Sequence, residues 1–135
     1  MSDEAPILVF DGVCVLCSRS VQFVLRHDRA RRFRFATVQS SMGAQLMRRV
    51  GFDPARPASV LLVEGDRVFV ESAAAIRVLS AFGGAWTIAA AALWIVPRPL
   101  RNAVYRLIAT RRYRWFGRRE TCYLPGPEDA GRFLE

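Results

Sequence analysis

Residues 7–17 read ILVFDGVCVLC, and this stretch constrains the fold more than any other in the chain. Four apolar residues, Ile7–Phe10, are closed by Asp11-Gly12, the pattern of a buried parallel strand that ends in a tight turn. Helical spacing begins straight after. At about 100° per residue, Cys14, Cys17, Val21, Val24 and Leu25 share one face. Arg19, Gln22 and Arg26 fall on another, which has to be wet. The spacing predicts a helix from about Cys14 to Arg26 or His27, with both cysteines on its core-side edge and Cys14 in its first turn.

Farther along, RFRFATV alternates Arg32 and Arg34 with Phe33 and Phe35, the period of a strand. Ser40 or Ser41 can cap a helix running through Val50, with Gly51 at its C-terminal end. Ser59–Val63, a turn at Glu64-Gly65-Asp66, and Arg67–Val70 read as a β-hairpin. Ser72 then caps a helix over Ala73 to about Ala81, ended by Gly83-Gly84. The order is β-α-β joined to β-β-α, which is the thioredoxin-like arrangement of an α/β fold: a mixed sheet (βαβαββα) covered on both faces.

At 135 residues the chain is expected to be one domain, with a core over about 5–84 and a helical extension over about 85–135 packed on it. Ala85–Val96 is apolar and helical in pattern, and Pro97 ends it. Pro99 suits the first turn of a further helix, whose apolar stripe is Leu100, Ala103, Val104, Leu107 and Ile108, to about Thr110. YRWFG and CYLPGPED read as irregular chain folding back, and Trp86 and Trp94 read as core residues. Val78–Pro97 carries no charge and is about as long as a membrane span, but Gly83-Gly84 interrupts it and Ser80 and Thr87 dilute it. A spanning helix is therefore not expected.

Every cation is Arg, and eight of the twenty lie between Arg98 and Arg119 with no acid among them. The other twelve balance the twelve Asp and Glu, so the whole net charge of +8 resides in the extension. The acidic start MSDEAP lacks the basic segment of a secretory signal, which makes the cytoplasm the expected address. Thiols stay reduced there, so three unevenly spaced cysteines are not a structural disulfide framework.

The two close cysteines carry the chemistry. Cysteine attacks disulfides as the thiolate, so a redox cysteine needs its pKa brought down from about 8.5. A helix N-terminus does this with unpaired N–H groups and the positive end of the macrodipole. Cys14 is thus the expected exposed nucleophile, and Cys17, a turn deeper, the sheltered resolving thiol. Asp11 has two readings. It can be a turn residue that caps the helix N-terminus through its side chain, or it can carry the proton of the resolving thiol if burial lifts its pKa toward neutral. Val15-Leu16 between the cysteines supplies neither Pro nor His, which favours a reductase with a moderately acidified Cys14 over a strong oxidant.

FDGVCVLCSRSVQFVLRHD resembles the signature of the DCC thiol-disulfide oxidoreductase family, named for its Asp-Cys-Cys motif. The likeness continues through FATVQSSMG, SVLLVEGDRVFVESAAA, LSAFGGAW, PRPLRNAVYRLIATRRYRWFG and CYLP. It implies a thioredoxin-like fold and protein-disulfide reductase activity, with Asp11, Cys14 and Cys17 at the motif positions. It also implies a disulfide-containing protein or small molecule as substrate and a cellular thiol as reductant. No bound cofactor and no metal are expected. One departure stands out. Thioredoxin-type enzymes set a cis-proline just before the third strand, whereas Pro57 here is followed by Ala58 and Ser59, one of which is expected to face the cysteines.

Three other readings compete. Cys14, Cys17, Cys122 and His27 have the residue types of a zinc site, but one C-x-x-C is half of such a site, and His27 falls on a different face of the helix from Cys14 and reads as a solvated helix-end residue. Cys122 is either a small buried side chain or a third redox thiol that accepts the disulfide. The Arg98–Arg119 stretch, with Tyr105, Tyr113, Trp115 and Phe116 interleaved, suits nucleic acid or an anionic membrane, or else packs its aromatics on the core while the Arg heads stay wet. An Asp-x-Asp phosphatase is excluded, because Val9 and Val13 stand where the second carboxylate would be.

Overall fold

A computed structural model describes residues 6–28, 32–53, 60–65, 67–118, 127 and 130–134. Strand β1 (Ile7–Phe10) leads through a corner into helix α1 (Val15–His27), followed by β2 (Arg34–Thr37) and α2 (Ser41–Arg49). The hairpin β3 (Leu61–Glu64) and β4 (Arg67–Val70) comes next, then α3 (Glu71–Phe82), α4 (Ala85–Ile95), α5 (Arg98–Phe116) and a short β5 (Phe133–Leu134). The sheet order is β4-β3-β1-β2-β5. β1 and β2 are parallel, as a helical crossover requires, and β3 runs antiparallel to β1. The fold is the expected thioredoxin-like mixed α/β sheet.

Alternation along β1 builds the two layers. Leu8 and Phe10 point into one core with Val21 and Val24 of α1 and Ala74 and Val78 of α3. Val9 points the other way, against Leu46 and Met47 of α2. β1 is therefore buried on both faces, which is why its sequence is apolar throughout.

Several details depart from the sequence expectations. Ser40 caps α2 by accepting the N–H of Gly43 at 3.0 Å, as a helix-capping serine should. Ser72 does not cap α3, whose N-cap is Val70 and whose first residue is Glu71; its hydroxyl is instead hydrogen-bonded to Asn102 of α5. Tyr113–Phe116 are helical rather than irregular, so α5 runs to Phe116. Of its expected apolar stripe, Ile108 faces inward but most of the rest does not. Tyr105, Ile108, Ala109 and Arg112 turn inward, while Leu100, Val104 and Leu107 stand exposed. Trp86 packs edge-on against Phe23 and Phe82, but Trp94 is exposed. Phe133 and Leu134 form a strand parallel to β2, within the extension that was expected to be helical.

Gly83 and Gly84, at φ 76° and 58°, adopt a backbone that L side chains rarely take, and they divide the uncharged stretch into α3 and α4. No helix among the described residues is long and apolar enough to cross a membrane. α5 closes over α3 and α1. It is held there by Arg106–Glu71 at 2.8 Å, by the Tyr105 hydroxyl accepting the Val60 N–H at 3.0 Å, and by Arg112–Asp11 at 3.2 Å.

Candidate active site

The corner between β1 and α1 makes the site. Cys14 is the N-cap of α1, in extended backbone, and its Sγ accepts the N–H of Cys17 at 3.3 Å. Its sulfur occupies the position where a Ser, Thr or Asp oxygen usually satisfies an orphan helix donor. Cys17 lies one turn on, and its thiol donates to the Cys14 sulfur. Both cysteines are free thiols.

Exposure is the reverse of what position on the helix suggests. Cys14 is fully covered (0% exposed), whereas Cys17 is half-buried. The cover comes from the far end of α5. Cys14 forms an antiparallel bridge with Arg118, and the Val15 N–H donates to the Gly117 carbonyl at 3.3 Å. Cys17 lines a cavity of about 600 Å³ whose walls include Phe10, Leu16, Val78, Ile108 and Arg112.

The two thiols are driven apart. The Cys14 pKa falls to about 6, chiefly because the Cys17 thiol hydrogen-bonds its thiolate; burial opposes the fall, and the Cys17 N–H and the charge of Arg112 add to it. Cys17 is pushed well above the ordinary thiol range. Donating to Cys14 locks its proton in place, burial disfavours its charged form, and the neighbouring thiolate repels a second negative charge. One proton thus serves two sulfurs.

Asp11 lies beneath this pair, buried, with a full set of donors. Its Oδ1 accepts the Val13 N–H at 3.2 Å and the Gln39 side-chain amide at 2.9 Å. Its Oδ2 accepts from Arg112 at 3.2 Å and from the Tyr113 hydroxyl. Burial alone would raise its pKa, but Tyr113, Gln39, the Val13 N–H and Arg112 together outweigh burial and hold the carboxyl below its ordinary range. The proton-carrying reading of Asp11 needs the opposite shift, toward neutrality. The carboxylate caps its own turn at Val13, while Cys14 caps the helix. It also anchors Arg112.

Arg112 and Gln39 were not singled out from the sequence, and Tyr113 was named only among the aromatics of the basic stretch. The Arg-rich extension and an acid before the cysteines were visible, but nothing local separates Arg112 from its seven neighbouring arginines. His27 is not solvated. Its ring lies tilted against Phe23, centroids 4.1 Å apart, beside Phe82 and Trp86, and its Nδ1 lies 2.8 Å from the Phe23 carbonyl. Cys122, Pro57, Ala58 and Ser59 lie outside the described residues.

Residues 8–118 match the model of the DCC1-like thiol-disulfide oxidoreductase family. The chain is 38% identical to the uncharacterised protein YuxK of Bacillus subtilis (strain 168), over 98% of each chain. It is 39% identical to a chloroplastic DCC family protein of Arabidopsis thaliana, over 90% of this chain and 71% of the plant protein. No solved structure matches.

Proposed function

The chain belongs to the DCC1-like thiol-disulfide oxidoreductase family, and from that premise we propose that it reduces disulfides through the Cys14–Cys17 dithiol. The observation that carries this reading is the divergence of the two thiols, one lowered to about 6 and its neighbour raised. Groups pushed apart in this way suit two successive roles.

The Cys14 thiolate attacks one sulfur of a substrate disulfide, forms a mixed disulfide, and releases a thiolate that takes a proton from water. Two of the four influences that raise Cys17 come from Cys14: the hydrogen bond to its thiolate and the repulsion of its charge; burial and the charge of Asp11 are the others. The two from Cys14 vanish once the Cys14 sulfur is bonded to substrate. The Cys17 pKa therefore drops at the moment its thiolate is needed. Cys17 then attacks the Cys14 sulfur, the Cys14–Cys17 disulfide forms, and the second substrate thiolate leaves with the Cys17 proton. Two electrons pass from the dithiol to the substrate disulfide, and a cellular thiol returns the pair to its reduced form. A compartment that keeps thiols reduced suits this cycle.

Arg112 contributes positive charge near both sulfurs, and Asp11 positions Arg112. The Gly117–Arg118 segment has to part from Cys14 for a substrate disulfide to reach it. A Cys14 pKa near 6 is closer to that of thioredoxin, about 7, than to that of the strong oxidant DsbA, about 3.5. This supports the reductive direction.

The test is reduction of insulin driven by dithiothreitol, with thiol trapping and mass spectrometry on each Cys→Ser variant, Cys122→Ser included. Cys14→Ser is expected to abolish turnover, and Cys17→Ser to accumulate the mixed disulfide at Cys14. Unchanged turnover in Cys14→Ser overturns the assignment.

A further inference from the structure

α4 has the composition of a buried helix without the burial. Its sequence, AWTIAAAALWI, holds no charge, yet Ala90 is its only buried residue. Ile88 is 74% exposed, Trp94 65% and Ile95 81%. A helix that is apolar all round normally lies inside a large core or in lipid. The first half of α5 continues the same surface. Leu100, Val104 and Leu107 recur at helical spacing on the face opposite the cavity-lining residues, and all three are exposed. One turn farther the same face becomes Arg111, Arg114 and Trp115, also exposed. A contiguous apolar patch of this kind on a folded protein marks an interaction surface.

We infer that the α4–α5 hairpin docks on an anionic phospholipid surface, with the apolar residues of α4 and early α5 in the headgroup boundary and the arginines against the lipid phosphates. Charge complementarity selects this occupant. Residues 83–118 contain seven arginines and no acid; Arg112 pairs with Asp11 in the core and Arg106 with Glu71, which leaves Arg98, Arg101, Arg111, Arg114 and Arg118 to give the region its positive charge. A second copy seated on the same face would set arginine against arginine with no carboxylate to offset it. Nucleic acid would satisfy the cations, but Ile88, Ile95, Leu100 and Val104 would gain nothing against a phosphate backbone. An anionic bilayer interface accepts both kinds of side chain. Two arginines are already placed to extend apolar stems beside aromatic rings, Arg101 over Trp94 at 5.1 Å and Arg111 over Trp115 at 5.8 Å. Neither helix is long and apolar enough to span, α4 being too short and α5 too charged, so the pair lies in the interface instead.

The experiment is co-sedimentation of the full chain with vesicles of phosphatidylglycerol mixed with phosphatidylcholine, and with vesicles of phosphatidylcholine alone, together with the tryptophan emission spectrum. Binding to the anionic vesicles that weakens with added salt, and a blue shift of emission, are expected. Arg111→Gln and Arg114→Gln should each lower partitioning about fivefold, whereas Arg111→Lys retains it. Trp94→Asp and Ile95→Asp should abolish the blue shift while the far-ultraviolet circular dichroism stays unchanged. No vesicle binding overturns the inference. So does self-association that is lost in Trp94→Asp, or binding to oligonucleotides tighter than to vesicles.

Discussion

At the scale of single residues, the acidity of Cys14 is shared among neighbours and can be taken apart. The Cys17 thiol is its largest support and Arg112 a smaller one. Cys17→Ala is therefore expected to raise the Cys14 pKa from about 6 further than Arg112→Ala does, while Cys17→Ser keeps a donor and raises it less. The pH dependence of iodoacetamide alkylation measures all three. An Arg112→Ala pKa equal to wild type would remove Arg112 from the site. The same substitution leaves the Asp11 carboxylate buried without its ionic partner, which costs about 3 kcal/mol or more of stability. Urea unfolding at pH 7 reads that loss. Arg112 was illegible in the sequence because its partner is far off along the chain, whereas the two cysteines were legible because their relation is one helical turn.

At the scale of elements, the segment after α5 controls access to Cys14. Gly117 has φ 98° and ψ 169°, a region that is essentially glycine's own, so Gly117→Ala strains the segment by about 1–3 kcal/mol. An added Cβ would meet nothing closer than Val15 Cγ2, at 3.7 Å, so the strain lies in the backbone rather than in a clash. Alkylation of Cys14, measured at a pH where its thiol is fully ionised, should then speed up about fivefold or more. An unchanged rate would show that the segment is no barrier. The extent of α5 shows the limit of pattern reading. Its apolar stripe was recognisable, but Leu100, Val104 and Leu107 face outward, because Asp11 and Ser72 draw Arg112 and Asn102 of the other faces inward, while Glu71 holds Arg106 at the surface.

At the scale of the whole molecule, the divided thiols make stability depend on pH. In the folded chain Cys14 loses its proton near pH 6, and in the unfolded chain near the ordinary 9.0. Between these values the unfolded state holds more protons, so stability rises with pH. Cys17 has the opposite shift and remains protonated when its unfolded counterpart ionises, so stability falls again above about pH 9. Thermal unfolding across pH 5–10 should trace this maximum. Cys14→Ser should lose the rising limb, and a flat profile in the wild type would contradict the pairing of the thiols.

Local periodicity was enough to determine the strand-helix-strand order, the two-sided sheet and the place of the cysteines at the start of α1, because each depends on residues within a turn or a strand of one another. Tertiary structure alone decided which of eight arginines meets Asp11, which thiol is covered, and which face of α5 looks inward. The Asp11–Arg112 contact joins residues 101 positions apart. No local pattern encodes such a contact, since burial and charge pairing select it only after the sheet and helices have come together.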